Sequence, residues 1–232
     1  EVRLMCGTDA GILYIVSLYA GPEGPPAKKV FLQESHPATI TAVAYPPDLT
    51  GSDANASSVF ATCAEDGSVR VWDVSDYRVT AKGICQTQQT GYPTSLAFSG
   101  EVMLTGWQDG KIRAHESEEG KLLWAIDNCH RGGVTSLALS NNLKFVVSGG
   151  EEGELRVWEI RTREMFLHLK QHTAAVTSLQ LYTDDTQVLS ASRDRTIYLW
   201  DLHAQARTRA LTQPMGGLNC IALHPDMMQL LS

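Results

Sequence analysis

Four residue types recur in this chain at matched positions, first as His36, Thr62, Asp66 and Trp72 and again as His172, Ser190, Asp194 and Trp200. A hydroxyl, an imidazole and a carboxylate are the parts of a nucleophilic triad, in which the imidazole takes the hydroxyl proton and the carboxylate orients it. Recurrence argues against that use. A catalytic centre needs one constellation in one cleft, whereas a network that ties strands together must be rebuilt in every copy of a repeat. Degraded copies stand at Gln89, Thr105, Asp109 and His115 and at His130, Ser148, Glu152 and Trp158, and the set is lost at Cys6, Ala10 and Val16. The network is therefore expected to be structural, and no residue is assigned a catalytic role.

Other chemistry finds little support. His168 and His172 are four apart but fall on a strand and the loop after it, so they do not share a helix face as zinc ligands would. The chain has no GxxxxGK[ST] phosphate loop, no GxSxG elbow and no HExxH pair. Five widely spaced cysteines with no CxxC pair read as thiols in a reducing compartment. No metal, cofactor or small-molecule substrate is expected. With 19 basic against 26 acidic residues the formal net charge is −7, which disfavours nucleic acid and anionic membrane as partners. The start of the chain shows no signal-peptide pattern, and no apolar run is long enough to span a bilayer.

The elements that must position the recurring residues are short strands. GSVRVWD at 67–73, GKIRAHE at 110–116, GELRVWE at 153–159 and RTIYLWD at 195–201 end alike, and their anchors Trp72, His115, Trp158 and Trp200 lie 43, 43 and 42 residues apart. That period belongs to WD repeats, each a four-stranded propeller blade. Alternating and apolar runs broken by turn residues place strands at 2–7, 12–18 and 29–33; 40–45, 59–63, 68–74 and 78–84; and 93–98, 102–106, 111–115 and 121–126. The series continues at 134–139, 145–149, 154–160 and 165–169; 176–181, 187–191, 196–202 and 209–212; and 218–223 and 228–231. Asp66-Gly67 and Asp109-Gly110 supply tight turns between the second and third strands. The expected fold is all-β, a single WD40 β-propeller domain over 1–232 with four complete blades and a partial blade at each end. Such a chain is either an excerpt of a seven-bladed ring or a five-bladed ring closed on its own ends, and the extra final strand favours the excerpt.

Partner binding is expected where the period breaks. The segments 19–27 and 48–57 are rich in Gly, Pro, Ser, Asn and Asp and leave neighbouring blades on the same face, which makes Tyr19, Glu23, Lys28, Lys29, Asp48, Asp53 and Asn55 candidate contacts. Arg70, Arg113 and Arg156 recur 43 residues apart at one point of the third strand, a regularly spaced basic arc interrupted by Tyr198. Nearby acids would neutralise it in a purely structural role. Trp158 to Arg161 matches the short W[D/E]xR pattern of WD-repeat substrate receptors of cullin-based ubiquitin ligases.

Beyond the generic repeat, the stretch from Gly106 to Ile160 resembles the cilia- and flagella-associated protein 52 family, with Trp107, the DGKIRA run at 109–114, the strand end at 126–130 and the SGGEEGELRVW run carrying the likeness. The resemblance implies a non-enzymatic member of tandem seven-bladed propellers on the luminal wall of ciliary doublet microtubules. Its partners would then be tubulin and other axonemal proteins. His115 departs from the repeat inside this most family-like stretch, while 60–73 reads closer to a generic repeat, so another centriolar or axonemal scaffold and the ligase receptor remain the alternatives.

Overall fold

The computed structural model describes residues 2–18, 28–31, 34–46, 58–84, 91–223 and 230–232. Among them are 21 strands and no helix. The first sheet holds β1 (Val2–Gly7), β2 (Leu13–Leu18) and β3 (Lys28–Phe31). Four four-stranded sheets follow: β4–β7 (Ile40–Ala44, Val59–Ala64, Ser68–Asp73, Val79–Ile84) and β8–β11 (Pro93–Phe98, Val102–Trp107, Ile112–Glu116, Leu122–Ile126). The other two are β12–β15 (Val134–Leu139, Phe145–Gly150, Glu154–Glu159, Met165–Lys170) and β16–β19 (Val176–Leu181, Gln187–Ser192, Thr196–Asp201, Ala206–Thr212). β20 (Ala222–Leu223) pairs with β21 (Leu230–Leu231). In all four-stranded sheets, neighbours in the sequence are neighbours in the sheet, which is the up-and-down order of a WD40 blade.

Burial follows the strand's place in its blade. The second and third strands are covered on both faces, so β5 is buried from Phe60 to Ala64 and β6 from Ser68 to Trp72. In β6 that cover extends to the polar Ser68 and Arg70, which are buried with Val69, Val71 and Trp72. The fourth strand is half covered: in β15 only Leu167 and Leu169 are buried. A register shift recurs early in the first strand of three blades, between Ile40 and Ala42, Val134 and Ser136, and Val176 and Ser178. Each skipped residue is a threonine whose hydroxyl donates to the neighbouring strand, Thr41 to Cys63 O (3.3 Å), Thr135 to Gly149 O (3.1 Å) and Thr177 to Ala191 O (3.2 Å). A bulge thus keeps its backbone irregularity satisfied.

Most expected strands fall in place, with corrections at their ends. The second strand begins at Leu13 because Thr8 and Ile12 close a turn through backbone and hydroxyl bonds. β20 holds two residues instead of six, and β10 starts at Ile112, since Lys111 N is held by Asp109 Oδ1 in the turn. Segments 19–27 and 48–57 lie outside the described residues.

The chain divides into two compact units, Glu1–Met103 with His115–Leu123 and Leu104–Ala114 with Trp124–Ser232. In the first, Phe60 stacks on Trp72 at 5.8 Å and 5° beside Leu13 and Ile15, and Cys63, Val69, Val71, Phe98 and Met103 form a second cluster. Gly120 and Gly83 meet backbone to backbone there: a Cβ on Gly120 would lie 2.3 Å from Gly83 N. In the second unit Leu155, Val157, Leu167 and Leu169 pack with Val176, Val188, Tyr198 and Trp200. Leu189, Ala191 and Ile197 pack with Leu218 and Ile221.

Candidate functional site

In the second, fourth and fifth blades the polar network joins a loop, a central strand and the strand after it. In the second blade, Thr62 on β5 accepts the indole N–H of Trp72 (2.8 Å) and bonds His36 Nε2 (2.7 Å). The other ring nitrogen bonds Ser68 Oγ at 2.8 Å, and Ser68 donates to Asp66 Oδ1 at 2.6 Å. A neutral imidazole with hydrogen on Nδ1 satisfies every bond in this relay. Burial, assisted by the Arg70 charge, pulls the His36 pKa down to about 4, so the ring stays neutral.

The fifth blade repeats the plan with Trp200 donating to Ser190 Oγ (2.8 Å), His172 Nε2 against the same oxygen (2.7 Å) and His172 Nδ1 against Asp194 Oδ2 (3.0 Å). These are the distances of a hydrolytic triad. Ser190, however, is 0% exposed, and its oxygen is enclosed between the indole and imidazole partners. No substrate carbonyl can reach it. Burial pulls the His172 pKa down, against the raising pull of Asp194. Asp194 itself, although burial pushes it up, is held below the ordinary carboxylate range by Thr196 and the Thr173 N–H.

The imperfect copies are repaired by residues that strand spacing alone did not single out. In the third blade the donor to Thr105 Oγ1 is Trp107, two residues along the same strand, at 2.8 Å. His115, which takes the usual tryptophan position, is buried at 2% exposure. The signal was visible, because residues i and i+2 of a strand share a face. In the fourth blade Ser148 still accepts from Trp158 (2.9 Å) and bonds His130 Nε2 (2.7 Å). Glu154 stands where Ser68 and Thr196 stand in the other blades, and it turns instead to Arg156 (2.7 Å) and Lys170 (3.0 Å). Burial pushes Glu154 up, but Lys170 and Arg156 outweigh it and hold the carboxyl below its usual range. His130 Nδ1 is left without a hydrogen-bond partner among the described residues, and burial lowers the ring's pKa to about 4.

The arginine arc is buried at Arg70 and Arg113 and partly exposed at Arg156, whose side chain is 21% accessible. Arg70 and Arg113 are 6% and 4% exposed, and each guanidinium has partners inside its own unit. Arg70 Nη1 donates to Ser35 O (2.8 Å) and Arg156 Nη1 to Cys129 O (2.6 Å), in both cases the carbonyl just before the network histidine. The arginine therefore clamps the loop that delivers the imidazole. Arg113 instead grips Asp109 with both nitrogens (3.1 and 2.6 Å) and lies 4.3 Å over the Trp107 ring. Tyr198, which interrupts the arc, stacks on His172 at 4.3 Å and carries Arg207 at 4.7 Å on its ring. The guanidinium returns to that place from the outer strand.

Of the other candidate contacts, Tyr19, Glu23, Asp48, Asp53 and Asn55 lie outside the described residues, and Lys28 and Lys29 are placed as backbone in β3.

The family model "WD domain, G-beta repeat" matches residues 27–73, 120–159 and 163–201. Cilia- and flagella-associated protein 52 of Homo sapiens is 39% identical over 120 residues, 51% of this chain and 19% of that protein. The protein of the same name in Chlamydomonas reinhardtii is 31% identical over 133 residues, 57% of this chain and 20% of the relative. Cilia- and flagella-associated protein 44 of Chlamydomonas reinhardtii is 30% identical over 168 residues, 68% of this chain and 9% of the relative. The matched stretch thus spans a fifth or less of these relatives' length.

Proposed function

Because the chain belongs to the WD-repeat family, its WD domain, G-beta repeats covering more than half its length, we infer that it is a non-enzymatic scaffold of the ciliary or flagellar axoneme. It binds tubulin and neighbouring proteins inside doublet microtubules. The observation that carries this reading is homology to proteins named as cilia- and flagella-associated in both a mammal and an alga. Two features of the molecule support a scaffold. The triad-like hydroxyls Thr62 and Ser190 are sealed at 0% exposure, and the recurring arginines hold loops within their own blades. Rigid sheets of this kind leave recognition to loops and outer faces.

Crosslinking mass spectrometry on isolated axonemes tests the reading. Crosslinks from Lys28 or Lys29 to tubulin or to luminal proteins are the expected result. A protein that stays wholly in the detergent-soluble fraction of ciliated cells would refute it.

A further inference from the structure

The outer strand of the fifth blade carries residues that neither the core nor the polar network uses. β19 is the last strand of its sheet, so one of its edges is unpaired, and all seven of its residues are exposed. Along it Arg207 and Arg209 stand five and three residues before Thr212. Neither arginine forms a salt bridge among the described residues. Arg207 lies over the Tyr198 ring at 4.7 Å, an exposed cation–π contact weak enough to be given up. The two threonines of the strand differ. Thr208 donates its hydroxyl to Leu199 O at 3.1 Å, whereas the Thr212 hydroxyl has no hydrogen-bond partner among the described residues. Thr212 is also the final residue of the strand: it pairs with Thr196, Gln213 N donates to Arg195 O at 2.8 Å, and residues 214–217 form no strand. The end of an edge strand opens at little cost.

The turn beside Thr212 breaks a local rule. Arg195 sits there at φ 70°, where Gly67, Gly110 and Gly153 hold the same place at φ 78°, 79° and 78°. Its side chain is exposed and forms no salt bridge or hydrogen bond among the described residues, and Arg193, in the same turn, is exposed too. The one carboxylate of this turn, Asp194, is committed to His172 Nδ1 (3.0 Å) and to the N–H groups of Thr173 (2.9 Å) and Thr196 (2.9 Å). In the equivalent turn of the fourth blade, Glu152 lies 4.0 Å from Arg131. Arg195 therefore adds a free cation next to Thr212 at the expense of a strained backbone.

We propose that Thr212 is a phosphorylation site for a basophilic protein kinase, one whose substrate groove holds carboxylates for arginines three and five residues before the acceptor. In the transfer, Thr212 Oγ bonds to the γ-phosphorus of Mg-ATP and the bond from that phosphorus to the β–γ bridging oxygen breaks. ADP leaves, and the hydroxyl proton passes to the catalytic carboxylate of the kinase. The phosphate then takes Arg195 as its partner, a role that glycine in that turn cannot fill. The site goes beyond the ciliary reading and does not depend on it, since either can fail alone.

Incubation of the purified, folded chain with Mg-ATP and the catalytic domain of a kinase selective for arginine at those two positions tests the proposal, with mass spectrometry to place the phosphate. Phosphate is expected on Thr212, and Thr212→Val should abolish it without lowering the melting temperature. Arg209→Ala should slow the initial rate by at least about tenfold, as loss of a charge-assisted bidentate contact does, and Arg207→Ala should slow it too. The phosphorylated chain should melt about 2–4 °C above the unmodified one, and Arg195→Gly should erase that difference. The proposal is overturned by no incorporation, by phosphate on another residue only, by modification of Thr212 only after unfolding in urea, or by a rate indifferent to Arg209→Ala. A phosphorylated chain that melts no higher than the unmodified one would overturn the pairing with Arg195.

Discussion

At the scale of the residue, the indole that ends the third strand in three of the blades, Trp72, Trp158 and Trp200, joins packing to hydrogen bonding. Trp72 is fully buried against Phe60 and donates to Thr62, so Trp72→Ala opens a cavity and removes a buried donor together. Chemical denaturation should show a loss of about 3–5 kcal/mol. The histidines set a pH dependence. His36 and His130 are held near pKa 4 in the folded chain, below their ordinary value of 6.5. Between those values the unfolded chain binds more protons than the folded one, so stability is complete above about pH 6.5 and declines as pH falls toward about 4. Urea midpoints measured across that window should fall with acidification, and a His36→Gln, His130→Gln double variant should flatten the slope.

At the scale of the element, the repeated tight turn is a natural comparison set. Gly67, Gly110 and Gly153 sit at φ 78°, 79° and 78°, and the same place in the fifth blade holds Arg195 at φ 70°. Glycine takes that conformation without a Cβ penalty, so Arg195→Gly should stabilise the chain by about 0.5–1 kcal/mol in thermal or urea melts. The opposite change is severe where backbones touch. Gly120→Ala would drive a Cβ to within 2.3 Å of Gly83 N and 2.6 Å of Lys82 C, and a loss of about 1–3 kcal/mol is expected. Blade spacing, strand order and the recurring Trp, hydroxyl and His were legible in the sequence because both the two-residue side-chain alternation and the 42–43-residue period are written in residue type. What was not legible depended on where a side chain turns. Arg70 and Arg156 look like a surface arc in the sequence, yet each reaches across 35 and 27 residues to a loop carbonyl. Trp107 stood out only for its family likeness, and its bond to Thr105 was not legible because the repeat pattern puts the network tryptophan at position 115.

At the scale of the whole molecule, the formal charge of −7 bears on how such a scaffold would attach. A net negative chain gains no long-range attraction to an acidic partner, so in the proposed role attachment rests on shape complementarity. Retention on axonemes through a high-salt wash is the expected outcome, checked by immunoblotting of the pellet. Complete release by salt would show that charge pairs dominate instead.

The wiring of the blades has a hereditary consequence. In the fifth blade every bond of the network closes within 24 residues, the longest being the His172–Thr196 pair. One repeat with the short loop before it therefore carries all the polar partners it needs. A gene that gained or lost one such module at its natural period would deliver a blade whose polar network is complete, and the number of blades could drift over generations provided each new blade still packs its apolar faces on its neighbours.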